Sequence, residues 1–117
     1  MPIIYKILPL PLWQEAQRTG VFQGAPVDLA DGYIHFSTAE QAAETAAKHF
    51  AGQRDLMLLH VDADALGEAL KWEPSRGGAL FPHLYAELAV KHVVRADPLP
   101  WGDDGRHVFP SWPVQDD

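Results

Sequence analysis

Asp31-Gly32-Tyr33-Ile34-His35-Phe36-Ser37-Thr38-Ala39-Glu40-Gln41 is the stretch whose reading decides the fold. Asp31-Gly32 is a turn signal, because glycine supplies the backbone angles of a tight reversal. Tyr33 to Ser37 alternates as a strand does, with Ile34 and Phe36 on one face and Tyr33, His35 and Ser37 on the other. Ser37 stands three residues before Glu40 and Thr38 three before Gln41, so either pair predicts a capping box that opens a helix. A strand that runs into a capped helix aims backbone N–H groups and the positive end of a dipole at the space beside His35, which makes an anion site. The plainer reading is that Tyr33, His35 and Ser37 are the wet face of a half-buried strand. Both readings stand at this point.

Outward from this stretch, the flanks supply the rest of an α+β domain. Ile3 to Ile7 predicts a first strand, stopped by Pro9, and Leu12 to Arg18 a helix closed by Thr19-Gly20. Leu12, Trp13 and Ala16 give that helix its inner face. Val21 to Ala30, with Gly24-Ala25-Pro26 at its centre, reads as a connecting loop. The helix after Thr38 runs to about Phe50, with Ala39, Ala42, Ala43, Ala46, Ala47 and Phe50 at helical spacing. Leu56 to Asp62 is a nearly continuous apolar run, the pattern of a strand buried on both faces. Asp62 to Gly67 predicts a short capped turn, Leu70 to Glu73 an edge strand, and Pro74 to Gly78 a loop. Phe81 to about Ala96 reads as a last strand with a break near Lys91, its register placing His83, Tyr85 and Glu87 on one face. From Pro98 the composition changes. Pro98, Pro100, Pro110 and Pro113 forbid regular structure, while Trp101, Phe109 and Trp112 are too apolar for a free tail. Residues 1–99 are therefore expected to form a single α+β domain, with 100–117 as a tail packed on it.

Composition narrows the function classes. The 117 residues carry a formal charge of −7, which argues against nonspecific contact with nucleic acid or acidic membrane. There is no cysteine, which removes disulfides and thiolate chemistry and fits a reducing compartment, so a cytoplasmic location is expected. Met1 to Lys6 has no signal-peptide pattern, and no apolar run approaches the ~20 residues of a membrane span. A monomer or weak homodimer is expected.

Six histidines are unevenly placed. His60, inside the apolar strand, reads as a satisfied core residue, and His49, His92 and His107 as helix, surface or strand-end residues. His35 and His83 each adjoin turn-forming residues. Two such histidines on adjacent strands can serve as acid and base, since an unperturbed imidazole titrates at about 6.5. His35, His60, His83, Asp62 and Glu87 do not fall into a recurrent metal-ligand spacing, so no metal is expected. Ser37, Ser75 and Ser111 lie outside any Gly-x-Ser-x-Gly, and Arg76-Gly77-Gly78 is a turn that could approach a phosphate.

Five segments together resemble the bacterial and plant family called domain of unknown function 952. They are Ile4-Tyr5-Lys6-Ile7, Trp13 with Ala16 and Gly20, Asp31 to Thr38 with Gln41, Leu58-Leu59 with Asp62, and Phe81-Pro82-His83-Leu84-Tyr85. The resemblance covers roughly residues 3–99. It implies a fold like that of the ADP-ribosyltransferases: a bent, split mixed or antiparallel sheet core with two main helices around an NAD-binding cleft. It sets Lys6 near the place of the histidine that holds a ribose in such transferases, and His35 near the tyrosine that stacks on nicotinamide. His83 comes nearest the catalytic glutamate, with Glu87 displaced by four. NAD or ADP-ribose are the ligands it brings forward. The expectation from residues and resemblance is a His35/His83 catalytic pair in a cleft that binds or acts on a nucleotide-like or phosphorylated molecule. Lys6, Tyr33, Ser37, Thr38, Tyr85 and Glu87 would line that cleft. A noncatalytic binding module and a protein interaction domain remain as alternatives.

Overall fold

The chain builds outward from the apolar run Leu56–Asp62, strand β4, which pairs on both edges. The computed structural model describes residues 2–110. β1 (Ile3–Pro9) runs antiparallel to β4 from Ile3 opposite Asp62 to Pro9 opposite Leu56, and β8 (Val93–Leu99) flanks the other edge with a bulge at His60/Val61. The period of two then sorts the side chains. Tyr5, Ile7, Leu56 and Leu58 pack under helix α3 (Ala39–His49) with Ala46 and Leu99, while Ile4, Leu8, Leu59 and Val61 pack against helix α1 (Leu10–Thr19) through Trp13 and Ala16. The central strand is thus covered on both faces, as its lack of alternation predicts.

α1 begins one residue after Pro9 and ends on Gly20, whose φ of 91° lets its N–H return to the Ala16 carbonyl. The segment expected to be a loop is not one. Val21–Phe22 forms β2, paired with β7 (Leu88–Ala89), and Pro26–Asp31 forms a one-and-a-half-turn helix, α2. Pro26 presets the first helical φ and the Asp28 carboxylate accepts the Ala25 N–H at 2.8 Å, the cap that a turn-rich composition concealed. Gly24, at φ 129°, permits the close approach: a Cβ there would sit 3.0 Å from the Asp28 Cβ.

A second antiparallel sheet has the order β3–β6–β5, with β3 Ile34–His35, β6 Leu80–Leu84 and β5 Leu70–Pro74, so β5 is an edge strand. His35 is the cross-strand partner of His83. The strand expected over Tyr33–Ser37 is shorter because its carboxyl end changes partners. Ser37 leaves β6 and exchanges both backbone hydrogen bonds with Tyr5 on β1, at 2.8 and 2.9 Å, and this bridge joins the two sheets. Ser37 and His83 are accordingly buried, not on a wet face. α3 starts with the Thr38/Gln41 box: Gln41 N–H donates to Thr38 Oγ1 (3.3 Å) and Thr38 N–H to Gln41 Oε1 (3.0 Å). The single late strand expected over 81–96 is three pieces, because the chain turns at Tyr85–Glu87 and again through a 3₁₀ turn at Val90–His92. The first turn takes Glu87 out of the register that would have aligned it with His83.

Beyond β8, Trp101 bridges to His107, whose Nε2 lies 2.9 Å from the Gln53 carbonyl. His107, expected as a surface or strand-end residue, is therefore buried at an isolated bridge. The expectations for Ser111, Trp112 and Pro113 lie outside the described residues. Among those described, no helix is long and apolar enough to cross a membrane.

Candidate functional site

A cavity of about 530 Å³ opens where the two sheets meet. β1 contributes Tyr5, Lys6 and Ile7, the Tyr33–Ser37 stretch contributes Tyr33, His35, Phe36 and Ser37, and β6 contributes Phe81 and His83. α2 covers one side with Pro26, Val27 and Asp31, and α3 presents Thr45, His49 and Phe50.

The polar end is built on two carboxylates. Asp28, only 1% exposed, accepts from Lys6 Nζ at 2.9 and 3.1 Å, from the backbone N–H of Ala25 and His35, and lies 2.6 Å from His35 Nδ1. Burial pushes its carboxyl upward, but the His35 hydrogen bond, the Lys6 ammonium and the Ala25 N–H prevail and hold it at about 2. Burial pulls the Lys6 ammonium below its ordinary value, with Asp28 opposing. His35 Nε2 is 2.9 Å from Asp31 Oδ2, so both nitrogens of this ring face carboxylates.

Glu73 on β5 is the second carboxylate. It stands diagonally across the ladder from His83 and lies 2.8 Å from His83 Nδ1 while accepting the Tyr85 hydroxyl, also at 2.8 Å. Hydrogen bonds from His83 and then Tyr85 hold Glu73 below the usual carboxylate range. The same contact raises the Tyr85 hydroxyl, followed by burial and charge. Tyr33 stacks on His83 with ring centroids 4.2 Å apart and touches the rings of His35 and Tyr85. Burial raises the Tyr33 hydroxyl, and Asp31, Glu73 and Asp28 raise it further. The His35 and His83 rings are 5.6 Å apart.

Of the residues the sequence singled out, Lys6, Tyr33, His35, Ser37 and His83 line the cavity, and Tyr85 packs against Tyr33 beside it. Thr38 and Glu87 are elsewhere. Thr38 closes the amino terminus of α3, and exposed Glu87 accepts from Gln23 at 3.2 Å. The expected anion site at that helix start is not part of the cavity. Gln41 satisfies the Thr38 N–H, and the cavity meets α3 at Thr45 to Phe50, far from its first turn. Ser37 Oγ pairs with Thr45 Oγ1 at 2.9 Å instead of capping the helix. The sequence reading missed Asp28 and Glu73. Pro26 with an acid two residues later was a signal for the first; nothing local marked the second. Elsewhere, His60 Nε2 meets Asp97 at 2.8 Å, and burial lowers its pKa while Asp97 opposes. Among the described residues no cluster of three or more metal-ligating side chains occurs.

A family described as protein of unknown function, DUF952, matches residues 7–96. The chain belongs to this family. The crystal structure of protein CC0527 from Caulobacter crescentus is 56% identical with a TM-score of 0.88, over 91% of this chain and 93% of that one. The solution NMR structure of CC0527 gives 57% identity and a TM-score of 0.82, over 91% of each chain. No curated protein matches the chain. The DUF952 match spans α1 through most of β8, and so includes every element that lines the cavity except the first residues of β1.

Proposed function

We propose that the cleft binds a nucleotide-like or phosphorylated small molecule, with His83 as its polar anchor and His35 beside it. One observation carries this. His83 is 4% exposed and lines the cavity; its Nδ1 is on Glu73, and its Nε2 has no partner among the described residues. Buried polar atoms are nearly always hydrogen-bonded, so a cavity beside an open one marks a place for a ligand. An ADP-ribosyltransferase-like fold is part of the proposal. Two antiparallel sheets joined at Tyr5–Ser37, with the cleft at the junction, support it. NAD and ADP-ribose are the first ligands to try.

As an enzyme, the protein would use His83 Nε2 to take a proton from the ligand or from water, with the Glu73 carboxylate balancing the charge. A noncatalytic binding module is the second reading, and His35 favours it. Both its nitrogens face carboxylates, so the histidine pair offers one open nitrogen instead of an acid and a base. The setting we attach is a cytoplasmic monomer or weak homodimer acting apart from nucleic acid and membrane; the charge of −7 supports the last of these. Residues 100–110 are taken as one unit with the domain, which the His107–Gln53 contact supports.

Calorimetric titration of the full chain with NAD, ADP-ribose and phosphate between pH 5.5 and 8 tests the binding. Saturable heat that falls at least tenfold in His83→Gln is the expected result. Silence with all three ligands at every pH removes these ligands and the reading with them. Turnover of a bound ligand separates enzyme from binding module.

A further inference from the structure

We propose that His83 anchors an N–H group of a flat, uncharged heterocycle, as in a nucleobase or nucleoside, and that this end of the cleft does not recognise phosphate. The inference rests on the ligand-binding reading above and narrows it.

The direction of the hydrogen bond comes first. An ionised carboxylate only accepts, and Glu73 takes both the Tyr85 hydroxyl and His83 Nδ1 at 2.8 Å. Nδ1 therefore carries the proton, and in the neutral ring Nε2 is an acceptor. An acceptor asks the ligand for a donor. A phosphoester dianion has only acceptors; a ring N–H or an amino group is a donor.

Shape agrees with this. Tyr33 lies on the imidazole at 4.2 Å with 30° between the planes. A flat group bonded to Nε2 continues the imidazole plane, in the layer next to the Tyr33 ring, where stacking adds to the hydrogen bond. Phe81, two residues before His83 on the same face of β6, lines the cavity with it.

Charge gives the third argument. Lys6 is bound to both oxygens of Asp28, His35 faces Asp28 and Asp31, and His83 faces Glu73. Each of these cationic or basic groups is already matched by an acid. An entering anion would meet Asp31 on the cavity wall and would have to compete with carboxylates for Lys6 and for both nitrogens of His35, while the open Nε2 of a neutral His83 offers it no proton. The Tyr33 hydroxyl, raised first by burial, is raised further by Asp31, Glu73 and Asp28 around it.

The test uses the full-length, ¹⁵N-labelled chain at pH 7.5. Imidazole nitrogen shifts give the His83 tautomer, and titrations with adenine, adenosine, AMP and inorganic phosphate give the ligand preference. The expected result is an Nδ1–H ring whose Nε2 resonance moves with adenine and adenosine, with AMP binding no tighter than adenosine. An Nε2–H or doubly protonated ring overturns the inference. So does a His83 response to phosphate alone, or AMP tighter than adenosine by tenfold or more; these outcomes leave the cleft itself standing. No response to any of the four probes overturns the inference; the cleft reading falls with it only when NAD and ADP-ribose are silent as well.

Discussion

Replacing Asp28 with Asn should cost more stability than almost any other single change of one atom type in this chain. The side chain is buried and gathers Lys6, His35 and the Ala25 N–H around two oxygens. Burial alone would raise its carboxyl, yet its donors hold it down from an ordinary 3.8 to about 2. That difference is worth about 2 kcal/mol of folding free energy at neutral pH. Because the folded value is the lower one, this contribution is complete above pH 3.8 and is lost as the pH falls through about 2. Asp28→Asn does more than remove it. The substitution leaves the Lys6 ammonium buried without its counter-charge, and breaking a buried pair from one side typically costs ~3–5 kcal/mol. Urea unfolding followed by circular dichroism at pH 7, 4, 3 and 2 is the assay. Asp28→Asn should be ~3–5 kcal/mol less stable at pH 7, and its decline between pH 4 and 2 should be shallower than the wild type's by about 2 kcal/mol. The double change Lys6→Met with Asp28→Leu should recover much of the loss, since it removes both charges together. A loss under ~1 kcal/mol at pH 7, or identical acid declines, would refute the argument that this pair organises the cleft wall.

Two further changes probe the frame of the site. Trp13→Ala empties the buried inner face of α1 and should cost ~3–5 kcal/mol; an unchanged melting temperature would mean that the Trp13 packing contributes nothing. Thr38→Ala should weaken the start of α3 by ~1 kcal/mol by deleting the Gln41 N–H acceptor. Ser37→Ala should leave that cap intact and alter only the Ser37–Thr45 contact; amide hydrogen exchange at Gln41 tells the two apart.

The frame of the molecule was legible where its determinants are local. Leu56 to Asp62 announces a strand covered on both faces because Leu56 and Leu58 on one side and Met57, Leu59 and Val61 on the other are apolar, and the Thr38/Gln41 box announces α3 within four residues. What escaped was set by distance in the chain. α2 is six residues long, too short for periodicity to declare it, and its cap depends on one acid beside a glycine that reads as loop. Lys6 and Asp28 are 22 residues apart, and Glu73 and His83 ten apart across a hairpin, so nothing in either neighbourhood tells of the other. His35 and His83 could be picked out from their flanking turns, yet their roles could not, because the carboxylates that orient them come from other elements. Glu87 looked aligned with His83 only as long as the strand was assumed to continue past Leu84.

The Asp28 carboxylate has a meaning beyond the cleft. In a chain with no cysteine it acts as a cross-link, tying β1, the start of α2 and β3 through one side chain and closing a 22-residue loop. A disulfide would do the same by restricting the unfolded chain, but would need an oxidant to form and a reductant to open. This tie forms on folding, answers to protons instead of electrons, and sits deep enough that salt reaches it poorly. The wall of the cavity is therefore fastened by a contact that is complete at neutral pH and weakens as the pH falls toward about 2, without any redox partner.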